Sequence, residues 1–381
     1  MREKPFVEIE CAGSPYEMGL AQGRWLKPHA EGVLRALVDN RYVPRWFKFA
    51  GIPTLKTLLT LKGIHVRSRH FASLWKHSAD QFERLRGISE GSGLRLTLLL
   101  GMMSVETMMA TFQYVMGCTS LGMGKTRSKT GSPLIGYNHD FPDFLKGHLL
   151  VRRSEPRNGH RSVQLTYPSI AGSIAGVNDA GLAISLNHAF SVEPANDGVP
   201  PTLMVQQALD RCADAEAAAR LFEQTKFSNG SMATVVDAQG GVFALELACG
   251  RFGVRRPENG VSLTLNEYQI PELKEIEVPQ DAVFNPRKYP KFFAGVAIHQ
   301  ANWERRRRFD KLLASGKRMG VEDVKKFLAD HNGNGKGALG TICRHHPTSD
   351  TIASAVLHPK EGVLEASRGF ACEARYQRFE L

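Results

Sequence analysis

The chain has 381 residues, 42% of them hydrophobic and 23% charged, which is ordinary globular composition with ample length for a large core. The most apolar stretch, 98–116, is interrupted by Glu106 and Gln113, so it predicts a buried helix rather than a membrane span. No apolar secretory segment opens the sequence, which favours a cytoplasmic location. The six cysteines form no CxxC pair, which argues against a disulfide framework.

Much of the formal net charge of +11 lies in two places. Residues 41–78 contain eight lysines and arginines and no acidic residue, and residues 305–308 are four consecutive arginines. No helix-turn-helix, aromatic RNA-binding pattern or zinc-finger spacing accompanies this charge, so no nucleic-acid partner is predicted. A solvated basic face is the favoured interpretation. Attraction to an anionic substrate or a membrane surface is the less favoured one.

The sequence before residue 117 has a helical pattern. Residues 14–17, Ser-Pro-Tyr-Glu, have the form of a capping box with proline at the first helical position. Further helices are predicted after Pro53, from about 71 to 88, and from about 97 to 114.

Paired strands dominate after residue 117. Four hairpins are predicted, at 120–123 with 134–138, 172–177 with 182–186, 232–236 with 242–247, and 351–357 with 363–367. Helices are predicted between them, at 201–209, 214–224, 303–314 and 321–329. This alternation predicts an α+β fold of antiparallel sheets with helices packed outside. A nucleotide-binding fold is disfavoured because no βαβ series or glycine-rich phosphate loop is present.

Cys118 lies at the junction of the helical and strand-rich parts. A lone cysteine is most often a small buried apolar residue, whereas a catalytic one also needs a base and oxyanion donors. His139 and His188 are the candidate bases. The residues alone therefore indicate a cysteine enzyme whose mechanism stays open.

Several segments, in order along almost the whole chain, resemble the isopenicillin-N acyltransferase family and, more distantly, choloylglycine hydrolases and acid ceramidase. They are residues 13–19, 85–93, 117–121, 136–141, 340–343, 351–354 and 369–373. The resemblance implies an N-terminal-nucleophile fold, an αββα sandwich of two antiparallel sheets between helix layers. It also implies self-cleavage between Gly117 and Cys118. The resulting helical leader, 1–117, and nucleophile-bearing core, 118–381, are expected to stay associated as one structural domain.

Self-cleavage would free the α-amino group of Cys118, whose reference pKa of about 7.7–8.0 suits a base near neutral pH. No histidine base is then needed, so His139 is expected to face solvent or a neighbouring strand. The implied reaction is hydrolysis or transfer of an acyl group through a Cys118 thioester. It needs no cofactor and no metal. The implied partner is a small amide or acyl donor, including an acyl-CoA.

The resemblance also implies the remaining catalytic residues. Asp140 matches the aspartate that holds the new ammonium or a substrate donor, and Asn266 matches the oxyanion asparagine. Arg305 matches the arginine of a helix motif in which Arg308 stands three residues on, while Asn302 occupies a position that is serine in the family. The run of four arginines leaves this register open by one or two residues.

Three residues are expected to bind substrate, namely Asn187, Ser231 and Tyr137. Tyr137 stands where the choloylglycine branch has an arginine, which disfavours a bile-salt site. Residues 343–346, Cys-Arg-His-His, are interpreted as a strand end with one structural histidine, because no further ligand pair has zinc-site spacing.

Two alternative functions stay open. An uncleaved cysteine hydrolase would use His139 or His188 as its base, and an imidazole substitution would then abolish activity. A non-catalytic relative would bind an anionic partner or a membrane surface through residues 41–78. Such binding would weaken with salt and survive Cys118→Ala.

Overall fold

The computed structural model describes residues 5–39, 45–109, 117–193, 198–285, 294–333, 335–347 and 349–381. Its strands are, in chain order, β1 (Glu8–Gly13), β2 (Gly117–Met123), β3 (Leu134–Phe141), β4 (Leu150–Pro156), β5 (Ser162–Thr166), β6 (Ala175–Asn178), β7 (Leu182–His188), β8 (Ser231–Asp237), β9 (Val242–Ala248), β10 (Arg251–Arg255), β11 (Val261–Thr264), β12 (Asp350–His358), β13 (Val363–Arg368) and β14 (Gln377–Glu380). Its α-helices are α1 (Pro15–Leu26), α2 (Ala30–Val38), α3 (Arg45–Ser92), α4 (Leu96–Met109), α5 (Pro201–Arg211), α6 (Ala215–Glu223), α7 (Pro271–Lys274), α8 (Gln300–Leu313) and α9 (Val321–Leu328).

The strands form two sheets. The larger has the order β1-β4-β5-β6-β7-β8-β9-β10, and the smaller has the order β11-β2-β3-β12-β13-β14. Neighbouring strands are antiparallel with one exception, since β1 pairs parallel with β4. The leader therefore contributes an edge strand to the larger sheet in addition to the helices that the sequence predicts.

The two sheets lie face to face and the helices cover their outer surfaces. Apolar side chains of both sheets meet between them, including Tyr137 and Ile352 from the smaller and Val163 and Val177 from the larger. Helices α2 to α6 pack on the larger sheet, and α8 and α9 pack on the smaller. This arrangement is the αββα sandwich that the sequence predicts.

All four predicted hairpins are confirmed, as β2 with β3, β6 with β7, β8 with β9, and β12 with β13. The helices predicted between them correspond to α5, α6, α8 and α9. The helix predicted at 97–114 corresponds to α4, whose described part ends at Met109. Residues 110–116 lie outside the described residues. The predicted helix at 71–88 is part of the much longer α3, whose helical geometry is interrupted at Gly51 and Ser78.

Glycines allow helices α1 and α3 to approach each other closely. A Cβ atom on Gly19 would clash with the Arg84 carbonyl, and one on Gly87 would clash with the Tyr16 carbonyl. Gly23 and Gly91 are equally close to the opposite backbone. The glycines in the two leader segments that carry the family resemblance thus have a packing function.

The basic stretch 41–78 falls largely on α3, and Lys56, Arg67 and Lys76 are exposed there. Among the described residues, no helix combines the length and the apolar character needed to cross a membrane.

Candidate active site

The β2–β3 hairpin determines the surroundings of Cys118. In its register, Gly117 lies opposite Asp140, and Cys118 lies opposite His139. Cys118 is buried, as are both residues across from it. The candidate nucleophile therefore lies inside the sandwich, near the start of β2 in the smaller sheet.

Asn266 contacts the backbone of Cys118. It follows β11, which pairs with β2, and its Oδ1 accepts a hydrogen bond of 3.1 Å from the Cys118 backbone N–H. Its Nδ2 donates to the His188 carbonyl at 2.8 Å. Because an amide nitrogen carries two hydrogens, one of them remains available for another acceptor.

Arg305, on α8, contacts the other side of Cys118. All five of its N–H groups have acceptors, which are Cys118 O at 2.7 Å, Thr119 Oγ1 at 3.0 Å, Asn266 Oδ1 at 2.9 Å, Asn302 Oδ1 at 2.9 Å and Ala301 O at 3.1 Å. Burial lowers the pKa of this guanidinium to about 10, so it stays charged at neutral pH.

The arginine run diverges in three dimensions. Arg306 pairs with Glu267 at 2.7 Å, Arg307 is exposed, and Arg308 pairs with Asp330 at 2.6 Å. Only Arg305 of the four contacts Cys118 in the described structure. The structure therefore indicates which arginine of the run lies beside Cys118. Asn302, which stands where the family has serine, accepts a hydrogen bond from Arg305 Nη2.

Asp140 is a buried carboxylate between two buried arginines. Its Oδ2 lies 3.8 Å from Arg305 Nη1 and 3.6 Å from Arg344 Nε, and its Oδ1 accepts from Thr351 Oγ1 at 2.7 Å. Burial raises the pKa of this carboxyl, and the arginines oppose the rise. Oδ2 has no hydrogen-bond partner among the described residues, so it can accept a further donor.

Arg344 is a site residue that sequence reasoning missed. Besides its contact with Asp140, it lies against Gly117, where an added Cβ would clash with the guanidinium. A larger residue immediately before Cys118 would have to displace this guanidinium. Arg344 belongs to the run 343–346, which lies in an irregular segment before β12 and not at a strand end as expected. No local pattern pointed to it, because it reaches Asp140 only through the fold.

His139 lies beside the thiol, with Nδ1 at 3.7 Å from Cys118 Sγ. It is only 4% exposed, so of the two expected surroundings, solvent or a neighbouring strand, it has the second, with Cys118 of β2 opposite it. Burial lowers the pKa of His139 to about 3, which keeps the ring neutral and makes it a weak base.

The hydrogen bonds around His139 determine its tautomer. The Tyr137 hydroxyl donates to the Leu186 carbonyl at 2.9 Å, so its oxygen accepts from His139 Nδ1 at 3.0 Å. His139 Nε2 then accepts from the Tyr167 hydroxyl at 3.1 Å. The ring nitrogen nearest to the thiol therefore carries the proton and cannot take another.

The thiol of Cys118 is protonated in the uncut chain. Burial, and after it the Asp140 carboxylate, raise its pKa to about 12. The Arg305 charge has the opposite effect, and Tyr137 Oη lies 3.6 Å from Sγ. None of the described side chains around Sγ has taken up the thiol proton, so the thiol has to lose it as a reaction proceeds.

An apolar cavity opens next to His139. Its volume is about 100 Å³, and it is open to solvent at one side. Its lining includes Tyr167 and His188 from the core and, from the leader, Val33, Leu37, Met102, Met103 and Glu106. The leader thus forms part of the wall of the cavity.

None of the three expected substrate-binding residues, Tyr137, Asn187 and Ser231, is among the residues that line this cavity. Asn187 accepts from Ser120 Oγ at 2.7 Å and donates to Thr264 O at 3.0 Å, which links the two sheets. Ser231 is fully buried and donates to the Gly230 carbonyl. Their substrate contacts stay predictions, whereas Tyr137 contacts the nucleophile itself.

Residues 126–369 match the model of the family described as acyl-coenzyme A:6-aminopenicillanic acid acyl-transferase. This is well over half of the chain. The chain belongs to this acyl-transferase family. The matched region includes Asp140, Asn266 and Arg305, and it begins a few residues after Cys118.

Three solved structures with a similar fold have different names. An N-acylethanolamine-hydrolyzing acid amidase ortholog of Caenorhabditis elegans has 15% identity over 64% of this chain and 93% of its own, with a TM-score of 0.41. A mutant conjugated bile acid hydrolase of Clostridium perfringens has 10% identity over 69% and 97%, with 0.40. Penicillin V acylase of Agrobacterium tumefaciens has 14% identity over 69% and 86%, with 0.36. A comparison with curated protein sequences gives no significant match.

Proposed function

We propose that this member of the acyl-transferase family is a self-processing cysteine amide hydrolase or acyltransferase, with Cys118 as its N-terminal nucleophile. One observation carries the proposal. The backbone nitrogen of Cys118 is held by Asn266 Oδ1, and its carbonyl oxygen is held by Arg305, so both ends of this residue are anchored. An α-amino group formed at this nitrogen would remain in place beside the thiol.

Processing would begin with attack of Cys118 Sγ on the carbonyl carbon of Gly117. The peptide C–N bond breaks, the nitrogen takes up the thiol proton, and Gly117 remains bound to sulfur as a thioester. Water then opens this thioester, which leaves a carboxylate on Gly117 and a free thiol and α-amine on Cys118. Arg344 lies against Gly117 and would place positive charge near the tetrahedral oxyanion.

Turnover would use the same atoms. The α-amine takes the thiol proton, Sγ attacks the acyl carbon, and the leaving group takes the proton as the bond to it breaks. The second hydrogen of Asn266 Nδ2 is available for the oxyanion, a contact whose loss costs about 100- to 1000-fold in rate elsewhere. Water resolving the thioester gives hydrolysis, and an amine resolving it gives acyl transfer.

The apolar cavity supports a substrate with an apolar acyl group. His139, whose Nδ1 lies 3.7 Å from Cys118 Sγ, lines the cavity. The rest of the wall is formed mostly by aliphatic and aromatic side chains. The description of the family makes an acyl-CoA one candidate donor. An N-acyl amide with the same acyl group is the other, and the cavity accommodates that group in either case.

Intact mass under denaturing conditions tests self-cleavage. Wild-type protein is expected to give two fragments that separate between Gly117 and Cys118, while Cys118→Ala gives one chain of 42.1 kDa. The two wild-type fragments should still elute together in native gel filtration, because β1 pairs with β4. A wild-type chain that stays uncut after prolonged incubation would contradict the proposal.

Acylation of Cys118 tests the chemical step separately. Processed protein is incubated with a medium-chain p-nitrophenyl ester, and the mass of the fragment that begins at Cys118 is measured. We expect one added acyl group that hydroxylamine removes. Processed protein whose Cys118 fragment gains no acyl group from this ester or from a medium-chain acyl-CoA would argue against the acyl-enzyme mechanism.

A second candidate, an uncleaved hydrolase with a Cys118–His139 pair, is favoured by the 3.7 Å distance between Sγ and Nδ1. The proton on Nδ1 and the low pKa of the ring weigh against it. His139→Gln distinguishes the two mechanisms. Under our proposal this variant still cleaves itself and is acylated. An uncut wild-type enzyme whose acylation is abolished by His139→Gln would establish the second candidate instead.

A further inference from the structure

Four potential metal ligands converge at a site away from Cys118. They are His331, Cys343, His345 and Cys372, and their ligand atoms all lie within 4.8 Å of one another. His331 follows α9, Cys343 and His345 lie in the segment 329–349, and Cys372 lies in a short helical turn after β13. The sequence did not predict this group, because the four residues have no zinc-site spacing and come together only in the fold.

The distances within the group match a tetrahedral metal site. His345 Nε2 lies 3.5 Å from Cys343 Sγ and 3.3 Å from Cys372 Sγ. A tetrahedral zinc ion with Zn–S of about 2.3 Å and Zn–N of about 2.0–2.1 Å separates such sulfur and nitrogen ligands by about 3.6 Å. The two thiolates would also neutralise the charge of a divalent cation.

The surroundings of His345 hold its ring in place. The ring stacks on Phe370 with 3.7 Å between centroids, and the ring of His331 meets it edge-on at 4.9 Å. Gly337 lies so close to His345 that an added Cβ would clash with the ring. His331 Nε2 is buried and has no hydrogen-bond partner among the described residues. A ligand bound to this nitrogen would satisfy it.

We propose that His331, Cys343, His345 and Cys372 bind one structural zinc ion in a closed tetrahedral site. Two imidazoles and two thiolates form one of the ligand sets that structural zinc takes, and no fifth position is required. The site would pin the irregular stretches 329–333 and 335–347, which lie between α9 and β12.

The zinc site would also position Arg344. This residue stands between the two ligands Cys343 and His345, and its guanidinium reaches Asp140 and Gly117. The metal would therefore support one wall of the Cys118 site without touching the reacting atoms. The zinc proposal itself does not depend on the chemistry of Cys118.

Elemental analysis of untagged protein, purified without chelator, tests the site. We expect about one zinc per chain in the wild type and in Cys118→Ala alike, and less than about one tenth of that in Cys372→Ser after dialysis. Cys372 is exposed, so its substitution by serine should leave the fold intact. Cys249→Ser, which changes a cysteine outside the group, is the matched control and should keep its zinc.

Cobalt replacement provides a second measurement that needs no enzyme activity. Metal is removed from the wild type with a chelator, and Co²⁺ is added. Intense visible bands of tetrahedral cobalt and thiolate-to-cobalt charge transfer are expected, and restored zinc should raise the unfolding temperature. Wild-type protein that binds neither metal, a Cys343–Cys372 disulfide seen by mass, or full zinc retention in Cys372→Ser would each overturn the proposal.

Discussion

Arg305 uses all five N–H groups of its guanidinium inside the protein. Two of its acceptors belong to Cys118, the candidate nucleophile, and to Asn266, which also binds the backbone of Cys118. A planar fork with fixed directions is needed to reach them together, and a single ammonium group cannot reproduce it. We therefore expect Arg305 to act as a positioning residue whose shape matters more than its charge.

Arg305→Lys is expected to slow both self-cleavage and acylation of Cys118 by at least about 100-fold, because the Cys118 carbonyl and the Asn266 amide lose their shared donor. The rates are measured by time-resolved intact mass. Arg307→Lys, at an exposed position on the same helix, is the control and should react like the wild type. Wild-type cleavage by a folded Arg305→Lys protein would show that the fork is dispensable.

The crossing of α1 and α3 is one of the close helix contacts of the leader. Gly19 and Gly87 each lie against the backbone of the opposite helix, so no larger residue fits without moving a helix. This packing anchors α3 to α1, which is itself continuous with the edge strand β1. The crossing thus connects the helical leader to the larger sheet.

Gly87→Ala is expected to destabilise the protein by about 1–3 kcal/mol, since its Cβ would meet the Tyr16 carbonyl. Urea unfolding in the uncut Cys118→Ala background measures the change. Gly32→Ala, on α2, is the matched control, because its Cβ would have its nearest contact at 3.7 Å and alanine favours a helix. Equal midpoints for the two variants would contradict the proposed role of the crossing.

At the scale of the whole molecule, leader and core share one interior. The Glu106 carboxylate of α4 accepts hydrogen bonds from the backbone and hydroxyl of Thr202 at the start of α5, next to the apolar cavity. Burial raises the pKa of Glu106 from 4.5 to about 7. The folded state therefore holds a proton there that the unfolded chain releases between these two pH values.

The free energy of unfolding should fall by on the order of 1–3 kcal/mol as the pH rises from 4.5 to about 7, and it should stay lower above that range. In the Cys118→Ala background, Glu106→Gln should remove this loss. Its urea midpoint should be higher than that of its parent at about pH 8, but not at about pH 5. Glu223→Gln, an exposed position on α6, should follow the pH profile of the parent. Parallel profiles for Glu106→Gln and its parent would refute the assignment.

The local pattern of the sequence was sufficient to predict most of the hairpins and helices in residues 118–381. The four hairpins and the helices between them follow from strand periodicity and from turns such as 178–181 and 237–241, where neighbouring residues determine the chain reversal. The edge strand β1 was missed because its partner, β4, is distant in sequence and parallel to it.

The sequence by itself determined the order of the elements, the junction at Cys118 and the family. Tertiary structure decided which arginine of 305–308 faces Cys118, that His139 is buried beside the thiol, and that Arg344 lies against Gly117. It also brought His331 and Cys372 to the same point. Turns and strand periodicity are encoded by neighbouring residues, whereas these contacts join residues that only the packing of sheets and helices brings together.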